Sequence, residues 1–146
     1  MMPPKTIGHE VKSLSNLIRR YLHESAKNTE LEDLTAMQGW IIAYLYHRGN
    51  GQEIFQRDIE KKFDVRRSTV TGVLKLMEQK GLITREPVEH DARLKSLKLT
   101  PKAVSLHEMV MQKFEEVENK LRSGLTEEEI EAFFEIIDKI KGNITR

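Results

Sequence analysis

Apolar residues recur along most of this chain with the 3.6-residue period of a helix, and the places where the period fails mark the connections. Ile7, Val11, Leu14, Leu17, Ile18, Tyr21 and Leu22 form one broad stripe, which predicts a first helix from Ile7 to about Ser25. Met1 to Lys5, with its two prolines, reads as a frayed lead-in, and the polar stretch Asn28 to Asp33 ends the first helical pattern. Thr35-Ala36-Met37-Gln38 has the form of a capping box, in which the hydroxyl serves an early backbone N–H and the glutamine reaches back. It opens a second helix with Met37, Trp40, Ile41, Tyr44 and Leu45 on its inner face, and Gly49-Asn50-Gly51 supplies residues tolerant of positive φ where that helix stops. A short third helix, Phe55 to Phe63, turns inward Ile59 and Phe63; Phe55 stands where a Ser or Thr cap would be expected and is read as packing on the second helix. After the turn at Asp64-Val65, Val70, Val73, Leu74 and Met77 recur at i, i+3, i+4 and i+7, a fourth helix closed by Lys80-Gly81.

The period then changes from 3.6 to 2. Ile83-Thr84-Arg85-Glu86 and Ser96-Leu97-Lys98-Leu99 are short extended candidates, and Pro87 is expected to end the first of them. The nine residues from Pro87 to Lys95 exceed a tight turn and hold His90, Asp91, Arg93 and Lys95, so they read as a projecting polar finger. Thr100-Pro101 starts a fifth helix, Thr as N-cap and Pro at the first helical position, running to about Arg122. Its Leu106, Val110, Phe114, Val117 and Leu121 make a seam close to a coiled-coil pattern. Ser123-Gly124 interrupts it, and Thr126 to Glu129 is a second capping box before a last helix with Ile130, Phe133, Phe134, Ile137, Ile140 and Ile144 on one side. The predicted fold is mainly α with a small two-stranded β wing: a winged helix-turn-helix over about residues 34–100, flanked by terminal helices at about 6–28 and 101–146, within one domain spanning 1–146.

The chemistry lies on the fourth helix. Opposite its apolar stripe stand Ser68, Thr71, Gly72, Lys75 and Gln79, without a carboxylate, and Arg66 and Arg67 precede its first turn. Small hydroxyl side chains can reach base edges in a major groove while the cations neutralise phosphates. The net charge of +1 hides an asymmetry: from Ile54 to Lys102 there are 12 Lys and Arg against 7 Asp and Glu, a balance of +5 that leaves −4 elsewhere. On charge alone a solvated face is as good a reading; beside this helix and its basic finger, the concentration favours double-stranded DNA through counterion release and steering.

With those residues in view, the chain resembles the MarR family of bacterial regulators, in Ser68-Thr69-Val70-Thr71, in the exit Glu78-Gln79-Lys80-Gly81-Leu82-Ile83, and in Asp91-Ala92-Arg93 followed by Leu99-Thr100. The resemblance implies that Arg93 enters a minor groove and that Asp91 holds the wing together by pairing with arginine. It also implies a terminal-helix homodimer. Two positions depart from the family's pattern: Arg66, where Ser or Thr is usual, and Gly72, where an arginine often stands. The DNA-binding set is therefore Arg66, Arg67, Ser68, Thr69, Thr71, Lys75, Asp91, Arg93 and Lys95, with Gln56 or Arg57 as further phosphate contacts.

Dimerisation has its own argument. The first helix and the last two carry more apolar surface than a small winged-helix core can cover, and either an intramolecular bundle or a second copy would bury it. A single helix-turn-helix reads few base pairs, whereas a two-fold dimer sets recognition helices roughly 34 Å apart on successive major grooves of a pseudo-palindromic site.

Other functions find little footing. The chain has no cysteine, no phosphate-cradling glycine loop and no nucleophile elbow, so no enzyme, no cofactor and no catalytic residue is expected. His23, Glu24, His47, His107 and Glu108 could converge only if three helices met, and no two histidines have i, i+4 spacing, so no metal ligand is assigned. The longest apolar run, Trp40 to Tyr46, is too short for a bilayer, and without an apolar leader the chain reads as cytoplasmic. The family resemblance implies a small effector. Arg20, His23, Trp40 and Tyr44 offer aromatic walls and a cation for an anionic or aromatic ligand, although Trp40 and Tyr44 at helical spacing read equally as core. The reading carried forward is a ligand-responsive repressor. Its rivals are a zinc-responsive regulator of the same fold and a winged-helix module that binds only proteins.

Overall fold

The computed structural model describes residues 4–145; the start of the lead-in read at Met1 lies outside them. The helices are α1 (Ile7–Ala26), α2 (Ala36–Arg48), α3 (Gln56–Phe63), α4 (Arg67–Gln79), α5 (Pro101–Arg122) and α6 (Glu127–Ile144), with the strands β1 (Ile83–Val88) and β2 (Asp91–Leu99) between α4 and α5. This is the mainly helical winged arrangement that the periodicity predicts. The chain divides into two compact units, one ending at Met111 and one beginning at Gln112, within α5.

In the first unit the core is assembled from one face of each element. Ile41, Ile42 and Leu45 of α2, Ile59 of α3, and Val70, Leu74 and Met77 of α4 meet Leu82, Ile83 and Leu97 from the base of the hairpin and Ala103 and Leu106 from α5. The caps act as the side-chain chemistry dictates. Thr35 and Gln38 form the full capping box of α2, with Gln38 itself buried (N–O distances 3.2 and 3.1 Å). Asp58 supplies the cap that Phe55 cannot, its carboxylate accepting the Phe55 N–H at 2.8 Å. The half-buried ring of Phe55 lies under the Arg57 guanidinium, 5.1 Å from the ring centroid. Between α3 and α4 the chain turns at Asp64, which takes the left-handed conformation (φ 51°) that Asp tolerates better than most residues. Gly81, at φ 74°, performs the same service after α4.

The hairpin is longer than the sequence pattern indicates. β1 runs through Pro87 to Val88 and β2 starts at Asp91, so only Glu89-His90 form the tip in place of a nine-residue finger. Pro87 sits opposite Lys95 with a register shift just after it. A two-stranded ribbon tolerates this, since alternate N–H groups on each strand point away from the partner and the missing donor of proline need not break a ladder bond. At its base the hairpin gains a third contact, the Leu97 N–H donating to the Ile54 carbonyl at 2.7 Å. Thr100 then caps α5, accepting from Ala103 N–H at 3.2 Å and donating to the Gly81 carbonyl at 2.6 Å.

Where α2 and α5 meet, Tyr46, His47 and His107 cluster, with ring centroids 4.3 Å apart for Tyr46 and His107 and 5.5 Å for the two histidines. His107 is 5% exposed. Burial holds its imidazole below the ordinary histidine range, His47 adds to this, and Glu108 opposes it.

The second unit holds the end of α5 and all of α6. Gly124 (φ 81°) ends α5, and Thr126 with Glu129 forms the second full capping box (3.1 and 2.9 Å). Val117 and Ile130 are buried, and the Arg122 guanidinium lies 5.7 Å from the centroid of the Phe134 ring.

Two measurements check this packing. Leu74 is fully buried, and Leu74→Ala is expected to cost about 2–5 kcal/mol, seen as a lower urea midpoint with an unchanged m-value. For His107 the folded pKa lies below the unfolded one, so the unfolded chain binds more protons between the two. Stability should therefore fall as pH drops from about 6.5 through the folded value and level off below it. His107→Gln should flatten this part of a plot of urea midpoint against pH.

Candidate nucleic-acid interface

Because α4 commits Val70, Leu74 and Met77 to the core, the helical period leaves Ser68, Thr71, Gly72, Lys75 and Gln79 facing solvent. Arg66, Arg67 and Thr69 are exposed as well. Arg66 is the N-cap in extended conformation, its side chain makes no capping bond, and the first turn holds no acid. The first turn of α4 therefore has no side-chain cap for its N–H groups and two exposed arginines at its start, a combination with affinity for an anion. At Gly72 a Cβ would meet nothing within 4 Å, so the position has room for a side chain.

Both ends of the helix are held by the rest of the first unit. At its exit, Lys102 Nζ donates to the Lys80 carbonyl at 2.9 Å, and Lys80 Nζ to the Asp33 carbonyl at 3.2 Å. A cation at the carboxyl end of α4 thus comes from α5 as well as from Lys80. On the solvent side, Gln56 of α3 donates from Nε2 to Thr71 Oγ1 at 2.8 Å, and that hydroxyl donates to the Arg67 carbonyl at 2.8 Å. Gln56, one of the two residues of α3 expected near a phosphate, thus also supports the exposed face of α4. Glu78 approaches Arg85 Nε of β1 at 3.8 Å; this nitrogen is enclosed and has no hydrogen-bond partner.

The wing presents its own set. Arg93 and Lys95 are exposed and Asp91 is half-buried. The contact Asp91 makes is not with a guanidinium: its Oδ1 accepts the backbone N–H of Arg93 at 2.9 Å, a short loop that fixes the start of β2 and leaves the Arg93 side chain to solvent. Ser96 Oγ donates to the Glu86 carbonyl across the hairpin at 3.3 Å. The recognition-helix set and the wing set are thereby carried by one unit, on two elements joined through Gly81-Leu82.

The four effector candidates lie on α1 and α2. Trp40, 57% exposed, stacks on Phe63 at 6.5 Å, and Tyr44 meets the same ring edge-on at 6.0 Å. These aromatics join α2 to α3. Arg20 and His23 are exposed on α1. Two open cavities of about 370 and 210 Å³ involve other residues, the larger lined by Leu45, Tyr46, Asn50, Leu97, Lys98 and Val104 among others. Among the described residues, no three His, Asp or Glu side chains are grouped to hold a metal ion, and no helix is long and apolar enough to cross a membrane.

Known proteins share this arrangement. The family model described as MarR family matches residues 32–94, from the start of the α2 region through the wing arginine. YybA of Bacillus subtilis, an HTH-type transcriptional regulator, is 27% identical over 123 residues, covering 84% of this chain and 81% of its own. A point mutant of MepR from Staphylococcus aureus superposes with a TM-score of 0.84 at 28% identity, over 97% of this chain and all of the other. MepR is a regulator of the multidrug efflux pump MepA and has been solved with an oligodeoxyribonucleotide and with ethidium bromide. The heme sensor PefR of Streptococcus agalactiae, solved with heme, superposes with a TM-score of 0.72 at 25% identity, over 96% of this chain and 95% of that one. YybA and MepR are transcription regulators rather than enzymes. The exposed hydroxyls and cations of α4 and the wing arginine thus lie within the stretch that matches the MarR family model, in a chain whose sequence and fold are similar to those of winged helix-turn-helix transcriptional regulators.

Proposed function

We propose that the protein is a ligand-responsive repressor that binds a pseudo-palindromic DNA site as a homodimer. The observation that carries this reading is the exposed face of α4, which combines hydroxyls and Lys75 behind a first turn that has no acid and no side-chain cap and is flanked by Arg66 and Arg67. Ser68, Thr69 and Thr71 approach base edges, Arg66, Arg67 and Lys75 hold phosphates, and Arg93 enters the minor groove from a wing steadied by Asp91, with Lys95 beside it.

The dimer is supported by apolar surface that the single chain leaves open. Ile7, Val11, Leu14 and Leu17 of α1, Phe114 and Leu121 of α5, and Phe133, Ile136 and Ile144 of α6 are all exposed. Contiguous apolar faces of this kind mark association surfaces. The effector reading draws on relatives that bind ethidium and heme, and on Trp40, whose ring is open to an aromatic or anionic molecule near Tyr44. Arg20 and His23, exposed on α1, would supply the cation.

The test is fluorescence anisotropy of the full chain on the DNA upstream of its own coding sequence against scrambled DNA, at several salt concentrations, with and without chelator. Selective binding is expected, with a log–log salt slope near −0.9 per neutralised phosphate. Equal weak binding to both DNAs would favour a protein-interaction module, and rescue of selectivity by zinc would favour a metal-responsive regulator. Arg93→Ala is expected to weaken binding and reduce the slope by about 1, whereas Gly72→Arg, which has room for its side chain, is expected to strengthen binding and steepen the slope by about 1. An unchanged slope in Arg93→Ala would remove Arg93 from the minor groove.

A further inference from the structure

The hydrogen bonds around Thr71 constrain what this residue can read. Its Oγ1 carries one hydrogen and two lone pairs. The Arg67 carbonyl can only accept, so the 2.8 Å contact between them uses that hydrogen. Gln56 Nε2 lies 2.8 Å from the same oxygen and donates to it, which occupies one lone pair. The reverse orientation of the amide would set two acceptors against one hydrogen. The hydroxyl of Thr71 thus has no proton to give to the N7 or O6 of guanine, the N7 of adenine or the O4 of thymine, the acceptors that a serine or threonine ordinarily addresses in a major groove.

We infer that Thr71 reads thymine through its methyl group, and that Gln56 is the positioning residue that holds the hydroxyl turned back onto α4 so that the methyl is presented. The back-bond to the residue four earlier directs Oγ1 along the helix, and Cγ2, on the same carbon, occupies another staggered position. Both residues stand on separate helices of the helix-turn-helix, so the contact also sets the reading face of α4 against α3. Apolar contact with the thymine C5-methyl is a recognised mode of base readout. The inference rests on the proposal that α4 lies in a major groove.

The experiment separates the two. The full chain is first used to select binding sequences from a random duplex library. Each thymine common to the enriched sequences is then replaced singly by uracil, which removes only the C5-methyl, and affinities are measured for wild type, Thr71→Val, Thr71→Ser and Gln56→Ala. Wild type is expected to lose roughly three- to fivefold at one thymine in each half-site, the effect of one methyl group withdrawn from an apolar contact. Thr71→Val, which keeps the methyl, should retain that discrimination. Thr71→Ser should bind the thymine and uracil duplexes equally. Gln56→Ala should reduce the discrimination while leaving the salt slope unchanged, because no phosphate contact is lost. Discrimination that survives in Thr71→Ser, or that disappears in Thr71→Val, would overturn the methyl assignment and return the reading to the hydroxyl. Full discrimination in Gln56→Ala would overturn the positioning role. If wild type enriches no sequence, the regulator proposal itself fails and the inference with it; selective binding without any uracil-sensitive thymine overturns the inference alone.

Discussion

Everything in the reading unit depends on one helix serving two surfaces at once. α4 buries Val70, Leu74 and Met77 completely, and the helical period then assigns the remaining positions to solvent without further choice. A residue inserted before Val70 would turn the stripe by about 100° and bring polar side chains into the core. The rigidity of the buried side therefore sets the accuracy of the exposed side. A carboxylate amid the outer face would repel phosphate; the exposed acid of α4, Glu78, stands to one side in the last turn, 3.8 Å from Arg85 Nε.

Packing fixes the rotation of α4, while polar contacts at its ends fix its tilt and its relation to the wing. Lys102 and Lys80 link the exit of the helix to α5 and to the α1–α2 connection, and Thr100 links Gly81 to the start of α5. The Leu97 to Ile54 bond ties the hairpin to the segment before α3. Each such bond contributes on the order of 1 kcal/mol, so none dominates the stability of the fold. Together they make the helix and the wing a single body, which two-element recognition of a duplex requires.

The terminal helices pose the opposite situation. α1 has no buried residue, and α6 keeps only Ile130 buried while the phenylalanines and Ile144 stand exposed. A helix with one apolar face gains its stability mainly by covering that face. The proposed homodimer would supply the cover, and an effector that altered the meeting of those helices would alter the spacing of two recognition helices. The aromatic contacts of Trp40 and Tyr44 with Phe63 give a ligand near α2 a direct mechanical connection to α3.

What the sequence determined by itself was local and periodic. The helical stripes, both capping boxes, the Thr100-Pro101 start and the glycine after α4 depend on residues within a few positions of each other, and each stands in the structure where the pattern put it. The exposed α4 set was legible for the same reason. Tertiary structure decided what depends on partners distant in the chain. Pro87 could remain in β1 because the opposite strand continues past it, and Gln56 became a support of Thr71 because α3 folds back beside α4. The Thr100 hydroxyl reached the Gly81 carbonyl, nineteen residues back, because the hairpin returns the chain to the exit of α4. The effector candidates were least legible, since helical spacing places Trp40 and Tyr44 on a face but cannot say that Phe63, from another helix, occupies it. Periodicity reports which side of an element is buried; only the folded chain reports against what.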